Sequence, residues 1–225
     1  MKNKKGHRTR KQIIAEKEAL SKRLIEIANS QNDPLVSLPL FQSYKSSTDI
    51  QYKLTCQKVK DLDSKTLAWI FDLMERNMKT IYQQSNWGWN ESSKQNELTE
   101  PTAWYLIASC NEEPVGFSHF RYDIDDKVQV LYCYELQLEP RVRRNGLGKF
   151  MMNCLDALAS QSGMKKVVLT VLKHNPAARL FFKSLGFKLD NTSPPEWENL
   201  DYIILIFDTL KCCEVELSPQ HWSIA

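Results

Sequence analysis

Residues 137–150 decide the fold class, and they read Gln137-Leu138-Glu139-Pro140-Arg141-Val142-Arg143-Arg144-Asn145-Gly146-Leu147-Gly148-Lys149-Phe150. A strand ends here, a loop with two glycines follows, and a helix begins near Leu147. The glycines allow a ligand to approach the main chain closely, and the helix N-terminus adds unpaired N–H donors and a positive dipole end. Together with the basic side chains, this arrangement predicts a cradle for a pyrophosphate, formed with Arg141, Arg143, Arg144 and Lys149.

Two common phosphate-binding motifs are absent from this stretch. A Walker loop needs Gly-x-x-x-x-Gly-Lys-Ser/Thr, and a dinucleotide fingerprint needs Gly-x-Gly-x-x-Gly directly after a parallel strand. The chain instead has Arg143-x-x-Gly146-x-Gly148, and this follows a meander of strands. The ligand is therefore expected to be a phosphate compound of another class.

The segments on either side of the loop alternate between strand and helix patterns. Turn residues separate three strand-like runs before the loop, which indicates an antiparallel meander. The predicted elements are strands at 104–110, 115–123 and 128–139, a helix at 147–161, a strand at 166–172, a helix from Pro176 to Leu185, and strands at 187–189 and 202–207. This order predicts a mixed α/β fold with a mostly antiparallel central sheet flanked by helices.

The N-terminal third predicts a helical extension and the start of the sheet. A stripe of Ile13, Leu20, Leu24 and Ile27 favours a helix over 11–28 that packs on the main domain. Residues 35–48 are expected to form a loop, 50–56 a strand, and 64–81 a helix that Asp63 or Ser64 caps. Residues 84–102 read as a polar loop whose Trp87 and Trp89 either anchor it in the core or line a groove. The predicted organisation is a basic arm and amphipathic helix (1–34), one domain (35–210) and a tail (211–225).

Composition favours a globular protein with a basic arm. The chain has 225 residues, 42% hydrophobic and 25% charged, and no apolar run approaches the length of a membrane span. Its start lacks the pattern of a secretory signal, and its six cysteines have neither metal-ligand spacing nor an evident disulfide framework. Residues 1–23 carry nine Lys or Arg and two Glu. We expect a nuclear and cytoplasmic protein whose arm is a nuclear signal, a contact for a nucleosome or ribosome, or only a solvated helix.

The glycine loop and a second segment resemble the Gcn5-related N-acetyltransferases. The loop resembles that family's Gln/Arg-x-x-Gly-x-Gly/Ala pattern, and residues 173–187 resemble its asparagine before a helix that ends in Leu-Gly-Phe. The resemblance covers about residues 50–208 and implies acetyl-CoA as co-substrate, without a metal. It implies that the coenzyme contacts Leu136, Gln137, Leu138, Arg143, Arg144, Asn145, Gly146, Leu147, Gly148, Lys149, Asn175 and Phe182. It also implies that the strand of 136–139 separates from that of 167–172, with a bulge aiding the separation.

A closer resemblance concerns the histone-specific branch of the family, N-terminal acetyltransferase D. It rests on residues 78–89, 103–108, 117–123, 131–139, 165–171 and 173–175. The resemblance implies acetylation of the α-amine of histone tails that begin Ser-Gly-Arg-Gly, by direct attack in a ternary complex, by an enzyme expected to be monomeric. The implied substrate cleft comprises Tyr82, Trp87, Asp123, Tyr132, Tyr134, Thr170, Thr192 and Tyr202. The match is loose around residues 191–201, which leaves Thr192 and Tyr202 as its weaker members.

The acid–base candidates lie on the strand before the loop. An attacking amine must be neutral, so a base that acts directly or through a water is useful. The residues Tyr132, Tyr134 and Glu135 are near the expected thioester, and Asp123 on the preceding strand could hold a cationic tail. Glu135 and Tyr134 are the predicted catalytic residues, and which of them takes the proton stays open. Two histidines in matching segments, His119 and His174, are assigned no catalytic role.

Two other functions remain open at this point. The same fold could acetylate a lysine side chain or a polyamine. Alternatively, the chain could be a chromatin-binding module that uses residues 1–23 and has no activity. The complete glycine loop followed by Asn175 argues against the inactive module.

Overall fold

The computed structural model describes residues 9–209. The first eight residues of the basic arm and the tail from residue 210 onward lie outside the described residues, together with what was predicted for them. The strands form one eight-stranded sheet in the order β1-β2-β3-β4-β5-β6-β8-β7. Their bounds are β1 Ser43–Lys45, β2 Gln51–Lys58, β3 Trp104–Cys110, β4 Glu113–Asp125, β5 Val128–Leu138, β6 Lys166–Leu172, β7 Lys188–Leu189 and β8 Tyr202–Asp208.

Within residues 9–209, five α-helices flank the sheet, and polar side chains cap most of their N-termini. They are α1 Arg10–Ser30, α2 Ser64–Gln83, α3 Glu91–Leu98, α4 Leu147–Gln161 and α5 Pro176–Ser184. Asp63 accepts a hydrogen bond from the Thr66 N–H, as the sequence predicted, and Asn175 accepts one from the Ala178 N–H. Such caps satisfy N–H groups that have no partner within the helix. Among residues 9–209, no helix has the length and apolarity needed to span a bilayer.

The two faces of the sheet carry separate apolar clusters. One cluster joins α1, α4 and α5 to the sheet around Trp104, Phe120 and Leu155, and the other packs α2 and α3 on Tyr105 and Phe117. Every pair of neighbouring strands is antiparallel except β5 and β6. The predicted mixed α/β fold with a mostly antiparallel sheet is confirmed.

Three local predictions differ from the structure. Residues 84–102 contain helix α3, which sequence analysis read as loop because it has only one apolar residue, Leu98. The predicted 35–48 loop contains 3₁₀ turns and β1. Helix α1 does pack on the domain, but its buried residues are Ser21 and Ala28, with Leu24 half-buried. The expected stripe of Ile13, Leu20 and Ile27 is exposed. The helix instead approaches the sheet through the face that carries its small buried residues, Ser21 and Ala28.

Strands β5 and β6 separate at the middle of the sheet, as the family resemblance implied. They pair only from Leu131 with Val167 to Cys133 with Leu169. On the other side of β5, His119 faces Glu135 while Phe120 faces Cys133, so Tyr134 is the extra residue of a β-bulge. A bulge bends its strand and increases its twist. Beyond Cys133, one edge of β5 therefore has no partner strand and borders a cleft.

Helix α4 buries a carboxyl group whose effect on stability can be measured. Asp156 is 8% exposed, its Oδ1 has no hydrogen-bond partner among the described residues, and burial raises its pKa from 3.8 to about 6. The fold binds this proton more tightly than the unfolded chain, so the contribution to stability is lost as pH rises through about 6. We expect Asp156→Asn to stabilise the protein at pH well above 6 by about 1–3 kcal/mol and to change little near pH 4. Thermal unfolding at both pH values tests this, with the exposed Asp61→Asn as control; equal effects of Asp156→Asn at both pH values would contradict it.

Candidate active site

A cleft of about 140 Å³ opens where β5 and β6 separate. Its walls come from α2, β5, β6, α5 and the segment after α2. Nine of the residues predicted for the substrate, the coenzyme or catalysis line it: Tyr82, Trp87, Tyr134, Glu135, Leu136, Gln137, Thr170, Asn175 and Phe182. The structure thus brings the two sets together where β5 and β6 separate, in the middle of the sheet.

Glu135 lies in this cleft, next to the bulge. Its side chain is 6% exposed, and burial raises the pKa of Glu135 to about 7. The amide of Gln137 donates a hydrogen bond to one carboxylate oxygen at 2.9 Å, and the ammonium of Lys94 lies 3.6 Å from the other. A carboxyl group of this kind exists in both protonation states near neutral pH and can accept a proton there.

A row of stacked rings runs beside Glu135. Tyr134 lies between Tyr132 and His119, with ring centroids 4.8 Å and 5.0 Å away, and the guanidinium of Arg121 lies 4.4 Å from its ring. Burial raises the pKa of Tyr134 and of Tyr82, so both hydroxyls are protonated at neutral pH. Tyr134 is therefore suited to donate a proton and Glu135 to accept one.

His119 and His174 both make contacts that stabilise the fold. His119 is fully buried, and burial lowers its pKa to about 3, so the ring is neutral. Its Nε2 accepts a hydrogen bond from Arg121. The Nε2 of His174 lies 2.8 Å from the carbonyl oxygen of Ile81, which ties the end of β6 to α2. Neither geometry gives a histidine contact with the cleft.

Aromatic side chains border the mouth of the cleft. Trp87 is 47% exposed and lies between Tyr82 and Tyr202, with ring centroids 6.0 Å and 5.1 Å away. The carboxylate of Asp201 accepts a hydrogen bond from the Asn86 N–H at 2.6 Å, which fixes the segment that carries Trp87. Of the two interpretations left open for Trp87, the structure therefore supports groove lining.

The remaining predicted substrate residues lie at different distances from the cleft. Thr170 and Tyr132 join β6 to β5 through a 2.6 Å hydroxyl contact. Asp123 is exposed four residues beyond His119 on β4, which corresponds to roughly 13 Å of strand. The hydroxyl of Thr192 donates to Asp190, outside the lining of the cleft.

The glycine loop has the geometry that the sequence predicted at the start of α4. Gly146 is the N-cap with a φ of 89°, a left-handed conformation that favours glycine. At Gly148, a Cβ would lie 3.3 Å from Phe181 and 3.4 Å from Leu138. The first N–H groups of α4 have no carbonyl partner within the helix, and the side chains of Arg144 and Lys149 are exposed nearby. These groups fit a pyrophosphate.

Two tyrosines that sequence analysis missed hold this loop in place. The hydroxyl of Tyr44 donates to the carbonyl of Asn145 at 2.9 Å, and the Asn145 amide donates to the hydroxyl of Tyr52 at 2.7 Å. The Oδ1 of Asn145 also accepts a bond from the Leu147 N–H at 3.3 Å. Strands β1 and β2 thus support the loop from the side of the core.

Arg143 has a role that the motif did not indicate. Its guanidinium donates to the carbonyl of Leu138 at 3.0 and 3.1 Å and to Oδ1 of Asn77 at 2.7 Å. These bonds fix the end of β5 against α2. Arg143 therefore orients the strand that borders the cleft, whereas Arg144 and Lys149 are exposed beside the loop.

In the described part of the chain, His, Cys, Asp and Glu side chains form no group of three that could hold a metal ion. Sequence analysis also missed Lys94, whose ammonium lies beside Glu135, because it lies on the unpredicted helix α3. The one signal for that helix was Asn90, a residue type common at N-caps, which accepts a bond from the Ser93 N–H.

Comparisons with known proteins agree with this geometry. The model of the acetyltransferase (GNAT) family matches residues 67–187. A PaiA N-acetyltransferase from Thermoplasma acidophilum in complex with coenzyme A has a TM-score of 0.52 and 16% identity over 69% of this chain and 99% of its own. An acetyltransferase from Streptococcus agalactiae has a TM-score of 0.53 and 17% identity over 68% of this chain and 96% of its own. Ard1 from Thermoplasma volcanium has a TM-score of 0.50 and 16% identity over 70% of this chain and 98% of its own.

At these identities, the likeness to solved structures is one of fold. The family match covers more than half of the chain and includes both the glycine loop and the strand that carries Glu135. The chain therefore belongs to the acetyltransferase (GNAT) family, whose enzymes take their acetyl group from acetyl-CoA.

Proposed function

We propose that this acetyltransferase acts on the N-terminal α-amine of histone tails that begin Ser-Gly-Arg-Gly. The observation that carries the proposal is Glu135, a buried carboxyl group with a pKa of about 7 in a tyrosine-lined cleft. An α-amine has a reference pKa of about 7.7–8.0, and a lysine amine has one of about 10.4. A base that titrates near 7 is better matched to the α-amine than to lysine.

The proposed reaction is a direct attack in a ternary complex. Acetyl-CoA supplies an electrophilic thioester when it is bound. The start of α4 binds the pyrophosphate, and the unpaired edge of β5 at Leu136–Leu138 offers backbone groups to the pantetheine arm. Glu135 accepts the proton of the attacking amine, directly or through a water, and Tyr134 donates a proton to the departing thiolate. Asn175 and Phe182 complete the coenzyme wall of the cleft.

The proposed peptide path enters between aromatic residues and passes an acid. Tyr82, Trp87 and Tyr202 provide rings at the mouth, and Asp123 provides an exposed negative charge further along β4. Tyr132 and Thr170 would contribute hydroxyls near this path, and Thr192, whose hydroxyl donates to Asp190, would contribute from outside the lining of the cleft. Because the first charged side chain of Ser-Gly-Arg-Gly is arginine, an acid beside the cleft suits the third residue of the tail.

The cellular context belongs to the same proposal. A histone-tail acetyltransferase acts in the nucleus and in the cytoplasm, where histones are made. We propose that it acts as a monomer and that the basic residues of its first 23 positions contact a nucleosome or a ribosome.

A peptide that carries both kinds of amine tests the substrate. We expect a Ser-Gly-Arg-Gly-Lys peptide to be acetylated at its α-amine, as fragment masses would show, and the same peptide with a formylated N-terminus to remain unmodified. Acetylation of lysine alone would instead support a lysine or polyamine acetyltransferase on this fold. Absence of acetyl-CoA binding by calorimetry would leave the inactive chromatin-binding module as the better explanation.

Asp123→Asn tests the proposed contact with arginine. Because exposed ion pairs contribute about 0.2–1 kcal/mol, we expect KM for Ser-Gly-Arg-Gly to rise about 2–5-fold. KM for Ser-Gly-Ala-Gly should change little, since it lacks the cation. The control is Asp126→Asn, which removes an exposed carboxylate from the turn after β4. Equal losses for both peptides would contradict a role of Asp123 in reading arginine.

A further inference from the structure

Helix α3 buries a lysine. Lys94 is 7% exposed, although α3 has eight residues and exposes five of the other seven. Taking an ammonium group out of water costs several kcal/mol, and a buried ion pair recovers that cost only with good geometry. A leucine or methionine at this position would pack the helix on the sheet at lower cost. Stability alone therefore does not explain the lysine.

The contacts of Lys94 lead to the cleft. Its Nζ donates to the hydroxyl of Tyr82 at 3.0 Å and lies 4.4 Å from the centre of that ring. It also lies 3.1 Å from Glu97 and 3.6 Å from Oε1 of Glu135. One ammonium group thus contacts two residues that line the cleft, Tyr82 and Glu135.

The charges around Glu135 show which way Lys94 acts. Burial raises the pKa of Glu135, the ammonium of Lys94 lowers it, and the carboxylate of Glu97 raises it. Burial lowers the pKa of Lys94 itself, but Glu135, Tyr82 and Glu97 more than compensate, so Lys94 stays protonated. Lys94 therefore opposes the effect of burial on the carboxyl group in the cleft.

The other titratable groups that face Glu135 do not replace this cation. Tyr105 on β3 is neutral because burial raises its pKa, and His119 on β4 is neutral because burial lowers its own. The guanidinium of Arg121 donates to His119 and to the carbonyl of Glu97. Within residues 9–209, Lys94 is the one cation in salt-bridge contact with Glu135.

We infer that Lys94 is a positioning residue for acetyl transfer, whose ammonium favours the ionised form of the Glu135 carboxyl group and fixes the ring of Tyr82 at the mouth of the cleft. The inference rests on the proposed function, because it takes Glu135 as the base. A base must be ionised to accept a proton, so a cation that favours the ionised form sets the lower pH limit of activity.

The test is the pH profile of kcat/KM for Lys94→Met with the Ser-Gly-Arg-Gly peptide. Loss of the cation should move the acidic limb up by about one pH unit or more, since one unit corresponds to about 1.4 kcal/mol of differential interaction. Activity at pH 7 should fall about fivefold or more and recover towards pH 9. Lys94→Arg keeps the charge and should restore much of the acidic limb. Acetyl-CoA affinity by calorimetry should stay within about twofold, because the contacts of Lys94 are with Tyr82, Glu97 and Glu135 and not with the glycine loop.

Glu97→Gln keeps the inference testable if Lys94→Met folds poorly. Removing this negative charge should move the acidic limb down in pH, opposite to Lys94→Met. A merely structural role would lower activity equally at all pH values, and either that result or an unmoved limb in both variants would overturn the inference.

Glu135→Gln separates the inference about Lys94 from the proposed function. If Glu135→Gln leaves turnover unchanged, the proposed base is wrong. If Glu135→Gln abolishes turnover while Lys94→Met and Glu97→Gln leave the pH profile of kcat/KM unmoved, only the inference about Lys94 fails.

Discussion

Replacing Glu135 by glutamine is expected to lower kcat about 10²–10⁴-fold, which is the usual contribution of a positioned general base. Glutamine has nearly the same shape, so the bulge at Tyr134 and the walls of the cleft should persist. The amide cannot accept the proton of the amine, and the loss therefore falls on the chemical step. Steady-state kinetics with a Ser-Gly-Arg-Gly peptide, together with calorimetry of acetyl-CoA, measure both effects. The dissociation constant of acetyl-CoA should change less than about twofold, because the pyrophosphate cradle is untouched.

A matched control for this variant is Glu113→Gln, which removes an exposed carboxylate from the start of β4. Its surface ion pair with Arg141, at 3.3 Å, contributes little to stability. Its turnover should equal that of the unchanged protein. Retention of most activity by Glu135→Gln would assign the proton transfer to another group or to solvent. Equal loss of coenzyme affinity and turnover would show that Glu135 shapes the coenzyme site instead.

Gly148→Trp is expected to raise the dissociation constant of acetyl-CoA by about 100-fold or more, which corresponds to about 2.7 kcal/mol or more. Even a Cβ at this position would lie 3.3 Å from Phe181 and 3.4 Å from Leu138, so an indole cannot be accommodated inside the turn. It would fill the space in front of the first N–H groups of α4. Calorimetric titration with acetyl-CoA measures the change.

Gln161→Trp places the same side chain at the exposed far end of α4 and serves as the control. It should bind acetyl-CoA normally. Thermal unfolding of both variants distinguishes a blocked loop from a damaged core. Near-normal coenzyme affinity in a folded Gly148→Trp protein would contradict the assignment of this loop to the pyrophosphate.

Periodicity and turn chemistry were enough to predict the part of the fold around the glycine loop. Helix α4 begins at Leu147 and β6 spans Lys166–Leu172, both as predicted, because glycines and alternating β-branched residues set clear limits there. The separation of β5 from β6 followed from the family resemblance. The composition of β5 alone does not reveal the bulge, since Tyr134 fits a regular strand equally well.

The rest depends on tertiary packing that leaves little trace in local sequence. Helix α3 has no apolar stripe, and it is held on the domain by Leu98 and by the contacts of Lys94 with Tyr82 and Glu135. The contacts of Lys94 with Glu135 and of Tyr44 with Asn145 span dozens of residues of sequence, so no spacing rule identifies them. Arg143 belongs to the motif, but whether its side chain meets a phosphate or a carbonyl depends on where Asn77 lies in space.

The bonds that join Tyr44 and Tyr52 to Asn145 connect a part of the chain outside the family match to the glycine loop inside it. Both tyrosines precede residue 67, where the match to the family begins, whereas Asn145 lies in the glycine loop, inside that match. Substitutions at Tyr44 or Tyr52 can thus adjust how firmly the coenzyme is gripped while every residue of the loop itself is preserved. A chain of this fold without these two hydroxyls would need another support behind the loop to hold the coenzyme as firmly.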